Sequence, residues 1–213
     1  MPGTIITIAQ QKGGAGKTTL AIHLALAWAA SGKRVAVIDI DPQASLSSWF
    51  RLRHERPRRG ATPIEAAAVS GWRVAGEVER QARGHDIVLI DSPPHAETEA
   101  RVAVRSGVLV LVPVQPSPMD LWATKPTLEL ARAEKRPMLL VLNRVPARAK
   151  LTGVLQGALN ALDVPLAEAR IGNRVALAAA INEGQGILEY EPSSAAAREI
   201  KALAEEVLGR CPG

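Results

Sequence analysis

The residues best suited to chemistry lie at three places along the chain. The run Gln10-Gln11-Lys12-Gly13-Gly14-Ala15-Gly16-Lys17-Thr18-Thr19 joins the short β-branched stretch Ile5-Ile6-Thr7-Ile8-Ala9 to a run of helix formers over 20–27. Strand, glycine loop and helix together form the context in which backbone N–H groups wrap a phosphate at a helix N-terminus. Gly13, Gly14, Ala15 and Gly16 are the expected cradle, with Thr19 closing the run. Lys17 reaches the β- and γ-phosphates of a nucleotide, and the Thr18 hydroxyl completes a Mg²⁺ shell. The ordinary pattern G-x-x-x-x-G-K-[ST] is not quite met: Gln11 stands where its first glycine belongs, and a second lysine, Lys12, heads the loop. The other two places are Asp39-Ile40-Asp41-Pro42-Gln43 and Ile90-Asp91-Ser92-Pro93-Pro94, each ending an apolar run. An aspartate at the end of such a strand beside a phosphate loop holds Mg²⁺ through its waters, which is the role expected of Asp91.

To bring three strand ends to one place, the chain must fold as a parallel sheet. Four-residue apolar runs such as 35–38 and 87–90 belong in sheets covered on both faces, and ligands bind such sheets outside the carboxyl ends of the strands. Strand and helix patterns alternate almost without a break. The spacing predicts helices over 45–53, 72–83 and 97–105, a short edge strand over 64–69, and strands over 107–114 and 138–142. A helix through Leu130 carries Pro126, which should kink it or mark a restart. Further helices are predicted over 151–162, 174–181 and 193–208, with a short strand over 164–166. The strand at 138–142 closes on Asn143, whose amide could read a purine edge. The expected fold class is α/β, a single doubly wound, mostly parallel sheet with helices on both faces, in one domain spanning 1–213.

Composition narrows the function. The 213 residues are 47% hydrophobic and 22% charged, enough for a sizeable core, and at 3% aromatic that core must be built from Ala, Val, Leu and Ile. No apolar run approaches a bilayer span of about 18 residues. Met1-Pro2-Gly3 leads straight into the first strand without a signal-like apolar core, and Cys211 alone makes neither a disulfide nor a metal cluster; a cytoplasmic protein is expected. The formal charge is +5. Much of it sits in residues 51–63, where Arg51, Arg53, Arg56, Arg58 and Arg59 face only Glu55. That stretch is either a solvated connection or a contact surface for phosphates or an acidic partner.

Taken together, the motifs resemble those of the ParA/MinD ATPases. The run from Lys12 to Thr19 is similar to their deviant Walker A loop, Asp39-Ile40-Asp41-Pro42-Gln43 to their switch I, and Ile90-Asp91-Ser92-Pro93-Pro94 to their Walker B and switch II. Val112-Pro113-Val114-Gln115-Pro116-Ser117-Pro118 and Glu191-Pro192-Ser193-Ser194 resemble later landmarks of the ParA branch. The resemblance implies a homodimer formed on ATP binding, in which Lys12 of each subunit crosses to its neighbour's nucleotide. It implies a catalytic role for Asp41, orienting the attacking water, beside Lys12 and Lys17. Asp39 would support the metal shell with Thr18 and Asp91, while Pro116 and Asn143 would hold the adenine. ATP and Mg²⁺ are the implied cofactors, and the activity is a slow, switch-type hydrolysis stimulated by a partner of ParB type or by a cargo adaptor.

The resemblance divides at the surface that the dimer binds. MinD-like proteins end in a basic amphipathic helix that enters membrane, whereas Glu205 and Glu206 occupy the last predicted helical turn here. The ParA-like reading is therefore preferred, with non-specific nucleoid DNA held by Arg174, Arg198 and Lys201, and Arg170 as a further candidate. No membrane contact is expected, and no N-terminal helix-turn-helix precedes the first strand. A MinD-like membrane ATPase and a metabolic P-loop synthetase remain as alternatives. His23, His95 and the tryptophans Trp28, Trp49, Trp72 and Trp122 are expected to serve packing.

Overall fold

The computed structural model describes residues 2–94, 97–147 and 153–211. The apolar runs pair edge to edge as strands β1 (Thr4–Ile8), β2 (Val35–Asp39), β3 (Glu65–Ala68), β4 (Ile87–Asp91), β5 (Leu109–Val114) and β6 (Met138–Leu142). They form one sheet in the order β3-β2-β4-β1-β5-β6, with every pairing parallel. All six carboxyl ends thus lie along one edge. The connection from β1 runs over β4 to β2, whereas that from β4 runs past β1 to β5. The ends of β1 and β4 therefore flank the switch point where open α/β sheets hold ligands.

The intervening helices are α1 (Lys17–Ala30), α2 (Ser45–Glu55), α3 (Arg73–Gly84), α4 (Glu97–Ser106) and α5 (Pro118–Ala133). After β6 come α6 (Gly153–Asn160), α7 (Val175–Asn182), α8 (Ile187–Tyr190) and α9 (Ala195–Arg210). Period-two alternation divides the core. Ile6, Ile8, Val37, Leu89 and Leu111 face one way and pack with α1 and α9. On the other face Ile38, Val88 and Ile90 meet α3 and Ala103 of α4, while Val110, Val112 and Leu140 meet α5 and α6.

Several expectations change. The run of helix formers after the glycine loop is more than a one-sided surface helix: every residue from Leu20 to Trp28 is buried. The outer side of α1 is closed by α9, and Trp28 Nε1 donates to Ala204 O at 2.9 Å. The strand expected over 164–166 reduces to a single bridge between Leu140 and Leu166, because Pro165 has no N–H to extend the ladder. Helix α5 runs unbroken through Pro126. The carbonyl left without its donor belongs to Trp122, on a face open to water. Trp28 and Trp49 are buried as expected, but Trp72 is 91% and Trp122 66% exposed. The start of the helix predicted over 151–162 and His95 lie outside the described residues. Among the described residues, no helix is long and apolar enough to cross a membrane.

A candidate nucleotide-phosphate site

The bend between β1 and α1 depends on backbone that only glycine adopts cheaply. Gly14 and Gly16 take φ of 76° and 89°, in the left-handed region. At Gly16 a Cβ would also lie 2.4 Å from Asn143 Nδ2, so two separate constraints exclude any side chain there. The loop is braced from outside: Asn143 Nδ2 donates to Ala15 O at 2.8 Å, and Gln115 Nε2 donates to Gly14 O at 3.2 Å. At its entry Gln10 is buried, donating to Pro113 O at 3.1 Å and Thr124 Oγ1 at 2.9 Å and accepting from Thr127 Oγ1 at 3.1 Å. Residues at the ends of β5 and β6 and in the middle of α5 thus hold a loop that would otherwise have no regular structure.

Parallel register then sets the acids. Asp91 lies opposite Ile8 on one side and Asp39 on the other, so two carboxylates stand on neighbouring strands beside the loop. Thr18 Oγ1 donates to Asp91 Oδ2 at 2.6 Å, and Asp91 Oδ1 is buried without a partner. Burial pushes the Asp91 carboxyl up to about 7, against the lowering effect of the Thr18 bond, and the Asp39 charge adds to the rise. A buried oxygen without a partner beside a hydroxyl fits a hard cation that takes oxygen ligands. No cluster of three or more His, Cys, Asp or Glu residues forms a protein-only metal site among the described residues, so a cation held by Thr18 and Asp91 would need further ligands from a bound molecule or water. Lys17 is buried at the helix start, its ammonium pKa lowered by desolvation and partly restored by Asp91 and Asp41.

Asp39 is committed differently. Its Oδ2 accepts from Ser47 Oγ at 2.6 Å and Ser47 N at 2.8 Å, and its Oδ1 accepts from Asp41 N at 3.1 Å. It therefore ties the loop carrying Asp41 to the first turn of α2. Asp41 accepts from Gln43 N at 2.9 Å and lies on the rim, and Ala44, just before α2, takes φ of 51°.

Lys12 does not reach toward Lys17. Its Nζ is 2.7 Å from Asp120 Oδ1 at the start of α5, with Asp120 nearly buried and Lys12 about one third exposed. Ser117 caps that helix and binds Asp120 through side chain and backbone. Met119 and Trp122, 71% and 66% exposed, flank the pair.

The remaining sequence candidates are distributed unevenly. Asn143 was expected to hold adenine, but both ends of its amide are engaged, Nδ2 with Ala15 O and Oδ1 with Arg144 N. In this structure it braces the loop. Pro116 is half-buried on the turn between β5 and α5. Arg174, expected on DNA, is paired with Glu199 through two contacts, so its charge is compensated internally. Arg198 donates to Ser193 O at 2.8 Å and Lys201 is exposed; neither has an ion-pair partner among the described residues. Sequence reasoning missed Asp120, although Ser117-Pro118-Met119-Asp120 carries the signal of a helix cap with an acid in the first turn. It also missed the reach of Gln10 across the sheet, for which no local pattern exists.

A family model described as the CobQ/CobB/MinD/ParA nucleotide binding domain matches residues 6–187. The chain is 32% identical over 237 residues to the chromosome-partitioning ATPase Soj of Thermus thermophilus, covering 96% of this chain and 95% of that one. It is 27% identical over 210 residues to the maintenance of carboxysome distribution protein A of Halothiobacillus neapolitanus, covering 95% of each. The cell division ATPase MinD of Pyrococcus furiosus has the same fold at a TM-score of 0.80 and 24% identity, over 97% of this chain and 99% of that one.

Proposed function

We propose that this chain, which belongs to the CobQ/CobB/MinD/ParA nucleotide-binding family, is a ParA-type positioning ATPase that pairs around two ATP molecules and holds nucleoid DNA in that state. The observation that carries the reading is the division of labour between two lysines of one loop. Lys17 is buried beside Thr18 and Asp91, whereas Lys12 is held at the rim on Asp120. A lysine kept off its own phosphate site is available to a second nucleotide, and Met119 and Trp122 beside it offer the apolar area that a protein contact needs.

In this reading backbone N–H groups of the loop and Lys17 hold the β- and γ-phosphates and stabilise charge on the transferring phosphoryl. Thr18 and Asp91 would hold Mg²⁺, which when bound neutralises phosphate charge. Asp41 orients the attacking water. Asp39, through Ser47, keeps the Asp41 loop in register with α2. Reciprocal Lys12 contacts couple ATP binding to dimerisation, and a partner protein ends the state by stimulating hydrolysis. The names of the Soj and carboxysome-distribution relatives support a cargo that is either a DNA locus or a protein assembly. Against a membrane-bound variant, α9 carries Glu205 and Glu206 in its later turns, which suits a lipid surface poorly.

Asp41→Ala tests this. The variant should bind ATP, lose most hydrolysis and accumulate as a dimer, measured by light scattering on a sizing column. An Asp41→Ala protein that stays monomeric in saturating Mg-ATP would refute the sandwich.

A further inference from the structure

We infer that the DNA-phosphate contact of this protein is made chiefly by Arg51, Arg58 and Arg59, on the last turns of α2 and the loop that follows, and not by the C-terminal helix. The inference rests on the ParA-type reading above and assigns its DNA surface.

Charge decides the first step. Residues 51–60 hold five arginines and one acid, Glu55, and so carry four of the chain's five net positive charges. Helix α9, by contrast, sets Arg198, Lys201 and Arg210 against Glu199, Glu205 and Glu206 and is neutral as a whole. Non-specific DNA affinity comes from counterions released as phosphates are neutralised, so it follows net positive charge at the surface. A balanced helix supplies little of it.

The five arginines fall into two groups. Arg53 is mostly buried and builds the base of the loop. It donates to both oxygens of Glu189 at 2.6 and 2.8 Å, to Thr62 O at 2.9 Å and to Gly184 O at 2.9 Å, with its guanidinium 5.5 Å from the Trp49 ring centre. Arg56 donates to Asn182 O and Glu183 at the end of α7. Arg51, Arg58 and Arg59 are exposed, and their side chains have no hydrogen-bond or ion-pair partner among the described residues. Two arginines anchor the segment and three remain available.

Position and surroundings select the partner. Arg56 ties the loop to one end of α7, and Arg174 stands at the other, about 12 Å away for eight residues at 1.5 Å each. The loop therefore borders the region where Arg198 and Lys201 can add secondary contacts. Arg58 and Arg59 also border a cleft of about 620 Å³, whose wall includes the mutually neutralised Arg53–Glu189 pair and apolar Phe50 and Leu188, so its uncompensated positive charge lies at the loop arginines. Residues 51–60 present no large exposed apolar side chain that could anchor a protein partner. An extended polyanion touching the rim fits both facts. Dimerisation doubles the number of contacts, which makes retention on DNA depend on ATP.

The test compares Arg51→Ala/Arg58→Ala/Arg59→Ala with Arg198→Ala/Lys201→Ala, both checked for ATP binding and for dimer formation by sizing. Binding to a duplex of arbitrary sequence is measured in Mg-ATP from 50 to 200 mM salt. Loss of three phosphate contacts should flatten the log–log salt slope by about 2.7 per protomer. Over that fourfold salt range the wild type then weakens about forty-fold more than the triple variant, counted per protomer. Arginine-to-lysine replacements at the same three positions should keep most of the slope. Wild-type affinity and slope in the folded triple alanine variant would overturn the assignment, most directly if Arg198→Ala/Lys201→Ala loses both. A wild-type protein that binds no duplex in any nucleotide state would instead overturn the DNA step of the proposed function itself.

Discussion

Replacing Asp120 by Asn should tighten the ATP-bound dimer. The substitution removes the charge that holds Lys12 on α5 but leaves an oxygen with which Ser117 can bond. The Lys12–Asp120 contact is 2.7 Å long, yet the lysine end is 35% exposed, so its worth lies near the level of a surface pair, about 1 kcal/mol. Assembly around two nucleotides must open one such pair in each subunit, a total of about 2 kcal/mol, or about thirty-fold in the dimer dissociation constant. Sedimentation equilibrium with a slowly hydrolysed ATP analogue reads that constant directly. Lys12→Gln should weaken the dimer, and combining it with Asp120→Asn should cancel the gain, because there is then no cation to release. An Asp120→Asn protein that dimerises no better than wild type would refute the idea that this ion pair competes with assembly.

Two further predictions concern the framework of the site. His23 is buried on α1, with its Nε2 on Leu177 O at 3.2 Å and its Nδ1 accepting from Ile187 N at 3.0 Å, and burial lowers its pKa from 6.5 to about 4. The unfolded chain takes up this proton near pH 6.5, so the contribution is complete above that pH and is lost as pH falls toward 4, amounting to about 3 kcal/mol. Urea midpoints should show wild type and His23→Gln converging across that window; parallel curves would count against a neutral buried His23. Gly16→Ala should weaken nucleotide binding at least tenfold by calorimetry, since a left-handed φ of 89° costs about 1–2 kcal/mol before the collision with Asn143 is considered. Adding Asn143→Ala removes the collision but not the backbone strain, so full recovery in the double variant would show that sterics alone matter.

The fold was legible where physical signals are local. Consecutive apolar residues in β2 and β4 announced strands covered on both faces, and the acid ending each run marked the carboxyl edge of the sheet. The same local signals brought Thr18 and Asp91 into one expectation, and the structure places them in hydrogen-bond contact. What stayed hidden depends on tertiary partners. Arg174 looks like a free cation in sequence, and only the tertiary placement of α9 brings Glu199 to it. Trp72 and Trp122 look like core residues by type, yet their exposure depends on which helix face meets the sheet. Asn143 stands at a strand end that suits base recognition, but the close approach of Gly16 turns its amide into a brace. Pro126 suggested a break, but its missing donor faces water and the helix continues.

The seal of α9 over α1 has a consequence for how the protein is made. The indole of Trp28 bonds to Ala204, 176 residues later in the chain. At about 5–20 residues per second, a ribosome finishes that later helix roughly 10 to 35 s after Trp28 is synthesised. Until then the outer side of α1, apolar from Leu20 to Trp28 except for His23, lacks the cover that α9 provides. The helix that follows the phosphate loop is therefore covered late in synthesis, and nascent chains carry exposed apolar surface until α9 has been made.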